Sequence, residues 1–115
     1  MPMDGIYSIT FRGAADWGMG MLILQNGQVT GADASGVTYD GTFVDTGPYI
    51  ELHVTMSVPP GVALVQGVPA QSKAYTIPIN QMIPKSAIET SQAILLQLAP
   101  GPVNVIFRRL RTLGA

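Results

Sequence analysis

The chain has 115 residues, six of them basic, seven acidic, thirteen glycine, nine proline and none cysteine. That length suits one domain over residues 1–115, with a core large enough to need neither disulfide nor structural metal. A net charge of −1 gives no basic excess to neutralise phosphates, which argues against direct nucleic-acid binding, and a charged fraction of only 11% leaves a largely neutral surface suited to an oligomer or a docking face.

Short apolar or alternating runs recur between Gly, Pro and Asn punctuation, and no window sustains a helical period, so the chain reads as all-β. The start, Met1-Pro2-Met3-Asp4-Gly5, has neither a basic segment nor a long apolar run, and a cytoplasmic location is expected. Apolar stretches such as residues 19–24 and 93–98 are far shorter than the roughly 20 residues of a membrane helix, so no membrane association is expected. Over residues 6–12, Tyr7, Ile9 and Phe11 share one face while Ser8, Thr10 and Arg12 share the other, the alternation of a half-buried strand with its aromatic face inward. Gly13-Ala14-Ala15-Asp16 turns the chain into a second strand over 17–25. Asn26-Gly27, two residues that tolerate positive φ, then predicts a tight hairpin into a third strand over 29–32. Neither face of the second strand is polar: Trp17, Met19, Met21 and Ile23 alternate with Gly18, Gly20, Leu22 and Leu24, so one face is expected to meet a partner. Gly18 and Gly20 read as space for a neighbouring ring or a tight bend, because the third glycine and the following helix of a phosphate-binding loop are missing.

Asp33-Ala34-Ser35-Gly36 turns into a fourth strand over 37–44, and Asp45-Thr46-Gly47-Pro48 closes that hairpin. Residues 49–57 then alternate most clearly, with Ile50, Leu52, Val54 and Met56 against Tyr49, Glu51, His53 and Thr55. Residues 59–72, rich in Pro and Gly, read as a long loop of the kind that forms a lid, with a short strand at 62–65. A strand over 74–83 contains Pro78, which cannot donate to a ladder and so belongs at an edge or a bulge. One helical turn at 84–91 is followed by strands over 93–98 and 103–110, joined by Pro100-Gly101-Pro102.

The sum is about eight strands in meander order, which suggests a small antiparallel up-and-down β-barrel, with a sandwich as the alternative. A barrel of this size is filled by side chains or holds one small ligand. Tyr7, Ile9, Phe11, Tyr39, Phe43, Ile50, Leu52 and Val54 are the candidate lining of such a lumen, for a lipid or another apolar small molecule, or they simply fill the core. Leu22, Leu24 and Ile106 are candidate dimer contacts.

Chemistry-bearing residues are few. His53, the only histidine, falls on the polar outward face beside Glu51 and Thr55, and no nucleophile elbow is present, so no catalytic residue is assigned. Asp4, Asp16, Asp33, Asp40 and Asp45 fall at turns or strand ends, where short carboxylates bond local amides, and neither a metal nor a cofactor is expected. Arg108, Arg109 and Arg111 form the one basic cluster, which reads as a solvated strand end.

Taken in order, Asp4-Gly5-Ile6-Tyr7-Ser8-Ile9, Gly18-x-Gly20, Asn26-Gly27, Val29-Thr30-Gly31-Ala32-Asp33, Tyr39-x-Gly41 and Leu52-His53-Val54 resemble the GrlR family of bacterial regulators. The resemblance covers residues 4–54 by motif and the remainder only by the order of strands. It implies a cytoplasmic, lipocalin-like β-barrel without catalytic activity that forms a homodimer and negatively regulates type III secretion genes. It further implies that the barrel binds a helix-turn-helix transcriptional activator and keeps it from DNA. The activator contact in that family is a loop with a run of acidic residues. The matching positions here are Asp45, Thr46, Gly47 and Pro48, which retain one carboxylate.

Overall fold

In the computed structural model, which describes residues 3–113, the alternating runs form eight antiparallel strands. The first and last two residues of the expected domain lie outside the described residues. The strands are β1 (Gly5–Arg12), β2 (Trp17–Gln25), β3 (Gln28–Asp33), β4 (Thr38–Asp45), β5 (Tyr49–Val58), β6 (Tyr75–Pro84), β7 (Ala93–Leu98) and β8 (Gly101–Thr112), with the short helix α1 (Lys85–Glu89) between β6 and β7. Their order in the sheet is β6-β5-β4-β3-β2-β1-β8-β7. Each strand therefore lies beside its sequence neighbour, and β8 returns to β1, which makes a nearly closed up-and-down barrel. The seam falls between β6 and β7, where Gln81 Nε2 donates to the Gln97 carbonyl at 3.2 Å. Pro78 sits in β6 at this edge, where a missing ladder donor is tolerated.

Local chemistry sets the register. Asn26 and Gly27 take φ of 53° and 76°, the left-handed pair that a two-residue hairpin needs, and Gln25 pairs with Gln28 directly across it. Because side chains alternate with a period of two, fixing one hairpin fixes which face of each strand turns inward. Tyr7, Ile50, Ile83, Val29, Val37 and Val58 are almost completely buried, and each large side chain so removed from water contributes roughly 1.5–3 kcal/mol before entropy is subtracted. Gly18 accommodates a ring as expected: a Cβ there would stand 2.5 Å from the Phe11 side chain, its neighbour across the β1–β2 ladder.

Three expectations are corrected. Leu22 and Leu24 are not dimer contacts, since they point into the barrel with exposures of 6% and 4%; the exposed apolar face of β2 is instead Trp17, Met19, Met21 and Ile23. Arg109 is not solvated. It continues the inward alternation of Val103, Val105 and Phe107, ahead of the β1–β8 register shift that skips Leu110, and its Nε and Nη2 donate to the Tyr7 hydroxyl at 3.1 and 2.8 Å while its guanidinium lies 5.4 Å from the Tyr7 ring centroid. Residues 62–65 form no strand, because Gly61 and Gly67 take φ of 83° and 104° and bend the chain into turns closed by the Leu64 amide on the Val68 carbonyl at 2.9 Å.

Candidate functional site: the barrel lumen and its rim

The two ends of the barrel are plugged differently. At one end α1 places Ala87 and Ile88 in the core, and Ile88 meets Tyr7, Leu24, Ile50, Ile83 and Phe107 around a void of about 10 Å³, near the size of a single water. The other end is covered by the loop over residues 59–74. Leu64 dips into the barrel from this loop with 6% exposure, while the Ala15 and Asp16 amides bond the Val65 carbonyl at 2.8 and 3.1 Å and tie the loop to the β1–β2 turn.

Beneath Leu64 lies a cavity of about 90 Å³. Of the residues expected to line a lumen, Ile9, Phe11, Tyr39, Leu52 and Val54 border it. Tyr7 and Ile50 instead border the small void at the α1 end, and Phe43 is buried without facing either space. Sequence reasoning overlooked other wall residues, among them Leu64, Asp33, Ser35 and Gln66. The signal for Asp33 was present: on β3 it shares a face with Val29 and Gly31, and Val29 is buried.

Asp33 and Tyr39 form the polar part of this wall. The Tyr39 hydroxyl donates to Asp33 Oδ2 at 2.9 Å, while Asp33 Oδ1 accepts the Ser35 amide at 2.9 Å and the Val37 amide at 3.2 Å. Burial, with the neighbouring carboxylate adding to it, pushes the Tyr39 phenol far above its usual range, so it stays a protonated donor. Asp33 is the one charged residue on the cavity wall. A further hydroxyl, that of Tyr75 at the start of β6, is buried without a hydrogen-bond partner.

Outside the barrel the surface is divided. Trp17, Met19, Met21 and Ile23 are 58, 50, 47 and 38% exposed on β2. Ile106 on β8, at 38% exposure, extends this apolar row because both Met19 and Ile106 lie beside Thr10 of β1. Across the sheet, His53 Nε2 lies 2.8 Å from Glu51 Oε1 and Nδ1 lies 2.8 Å from Asn80 Oδ1. The Asn80 contact first, and Glu51 second, raise the imidazole pKa above its ordinary value. This exposed group faces no nucleophile among its hydrogen-bond partners and is a surface titrating group.

The turn at residues 45–48 is exposed, and its carboxylate is committed to local bonds. Asp45 Oδ1 pairs with Lys85 Nζ and accepts the Gly47 amide at 3.0 Å, and these contacts hold its pKa below the ordinary carboxylate value. Thr46 bonds the Tyr49 carbonyl through Oγ1 and amide at 3.1 and 3.0 Å, and the Pro48 carbonyl accepts the Lys85 amide at 2.9 Å. The turn is thus fastened to the start of α1. Among the described residues no three of His, Asp and Glu gather as a metal site, and no helix is long and apolar enough to cross a membrane. No family model matches the chain, and no curated protein matches it at a significant level.

Proposed function

We propose that the chain is a cytoplasmic, non-enzymatic regulatory protein that acts as a homodimer by binding another protein. In the regulatory setting implied by the GrlR-like motifs of residues 4–54, the partner is a helix-turn-helix activator held away from DNA, and the genes it controls include those of type III secretion. The observation that carries the binding role is the apolar row Trp17, Met19, Met21, Ile23 and Ile106, exposed on the outside of a barrel whose core is built from other side chains. Such a row costs solubility in a free monomer and gains free energy when covered. The turn formed by Asp45, Thr46, Gly47 and Pro48 is the proposed rim contact, where the fastened loop supplies shape rather than several free charges. The test is capture of the tagged protein from its host, followed by a gel shift of the captured regulator on its own promoter DNA. Release of DNA on adding the barrel, lost with Met21→Glu while the fold persists, supports the reading; a regulator that stays on DNA with excess barrel overturns it.

A second reading is supported by the cavity of about 90 Å³ with its mainly apolar wall: the barrel carries a small apolar molecule. Binding of 1-hexanol that perturbs the lining methyl groups in NMR spectra supports carriage, and no perturbation at saturating alcohol removes it.

A further inference from the structure

The lumen is apolar along most of its wall, and its one charged group has two polar neighbours beside it. Asp33 projects inward from the end of β3, Ser35 follows in the turn, and the Tyr39 hydroxyl reaches the same carboxylate from β4. An ionised carboxylate offers about four lone-pair positions. Three are occupied here: two on Oδ1 by the Ser35 and Val37 amides and one on Oδ2 by the Tyr39 hydroxyl. The remaining position on Oδ2, with the lone pairs of the Tyr39 oxygen, accepts hydrogen bonds and donates none. Ser35 and Gln66 also border the cavity and can turn either a donor or an acceptor toward a guest, but neither cancels the fixed charge of Asp33.

We propose that Asp33 and Tyr39 form the headgroup site of a short-chain amphiphile whose head donates hydrogen bonds, a primary alkyl amine in preference and an alcohol next, with its tail beneath Leu64 against Ile9, Leu52 and Val105. The proposal rests on the second reading above, that the lumen holds a ligand, and narrows its chemistry. A fatty-acid carboxylate is selected against, since it would bring a second negative charge to Asp33 with no cation on the cavity wall to offset it. Tail length is limited as well. An apolar cavity of about 150 Å³ holds benzene, so about 90 Å³ takes the inner carbons of a hexyl chain, with the remainder and the head reaching toward Asp33 at the mouth.

The experiment titrates the intact protein with hexylamine, 1-hexanol and hexanoate at one ionic strength, following lining methyl groups such as those of Leu52, Val54 and Val105 by NMR. The expected result is binding of the amine about tenfold or more tighter than hexanoate, a ratio well below that of a fully buried charge pair because the Asp33 carboxylate is half-exposed. Amine affinity then falls with added salt while alcohol affinity holds. Asp33→Asn keeps an oxygen for the two turn amides and is expected to remove the amine preference while leaving 1-hexanol affinity within a few-fold. Should that variant not fold, the salt dependence on the wild-type protein still decides. Hexanoate binding as tightly as hexylamine overturns the headgroup assignment and leaves ligand carriage standing; no perturbation by any of the three overturns both.

Discussion

Leu64→Ala separates a plug from a bystander. Leu64, at 6% exposure, is the most deeply buried residue of a loop whose Val62, Val65 and Val68 are only partly buried, and it forms part of the cavity wall. Truncating a leucine so deeply buried costs roughly 2–5 kcal/mol, the transfer free energy of the lost carbons plus the space left behind. The low end applies here, about 2–3 kcal/mol, because a loop tied down mainly through its Val65 carbonyl relaxes more readily than a strand. For a chain of this length each kcal/mol moves the midpoint by about 4 °C, so the melt should fall by about 10 °C. At the same time the cavity grows, and 1-hexanol should bind more tightly, since each added buried methylene contributes about 0.8 kcal/mol. The assay pairs a thermal melt by circular dichroism with an NMR titration. Ile83→Ala is the comparison: this 0%-exposed residue at the α1 end should cost as much or more without improving alcohol binding in the larger cavity. A Leu64→Ala melt within about 2 °C of wild type, with unchanged alcohol affinity, would refute the claim that this residue closes the lumen.

Other perturbations follow from single contacts. Tyr75→Phe deletes a buried hydroxyl that has no partner, so chemical denaturation should show the variant as stable as wild type or up to about 1 kcal/mol more so. Gly18→Val places carbon atoms where the Phe11 ring lies, and thermal denaturation should show a loss of about 1–3 kcal/mol that Phe11→Ala partly suppresses in the double variant. The His53 imidazole, raised by Asn80 and Glu51, should titrate in NMR above about 6.5, and Asn80→Ala should lower its midpoint. Because the folded value exceeds the unfolded one, the associated stabilisation is present below the unfolded value and is lost as pH rises through the folded value; solvent screening keeps it small at this exposed site.

Alternation made most of the barrel legible. In β1 and β5 every second residue is apolar, so Tyr7, Ile9, Ile50, Leu52, Val54 and Met56 could be placed inside before any coordinates, and all six are buried. β2 defeated the same rule because both of its faces are apolar, and nothing local distinguishes Leu22 and Leu24 from Met21 and Ile23. The phase comes from the neighbouring strands, with Leu24 opposite the buried Val29 across the two-residue turn and Leu22 opposite Tyr7, so it is read from pairing and not from β2 itself. The Arg109 contact was hidden for a different reason: alternation with Val103, Val105 and Phe107 does place Arg109 inward, but an arginine near a strand end has a sufficient local explanation as a solvated charge, and only the β1–β8 pairing supplies the Tyr7 hydroxyl as its partner. Leu64 and Asp33 were missed as wall residues because a loop has no period, and an aspartate at a turn has a sufficient local explanation in its amide bonds.

The inverted sizes on β2 tie the interior to the exterior. Along its first half the inward residues are Gly18 and Gly20, the smallest available, and the outward ones are Trp17, Met19 and Met21, among the largest. Inside, the missing side chains are replaced by the Phe11 ring over Gly18 and by the close approach of β3 at Gly20, where a Cβ would meet the Ala32 carbonyl oxygen at 2.5 Å. The apolar free energy that a strand ordinarily gains from its core face is therefore supplied there by its neighbours. Trp17, Met19 and Met21 gain little by burial within the barrel, since about half or more of each remains in water. An exposed aromatic and two flexible thioethers in one row are the residue types that adapt to and anchor a protein surface. Ligand carriage alone gives the outer row no role, whereas a barrel that binds another protein requires it, and the two uses occupy opposite faces of one strand without competing for the same side chains.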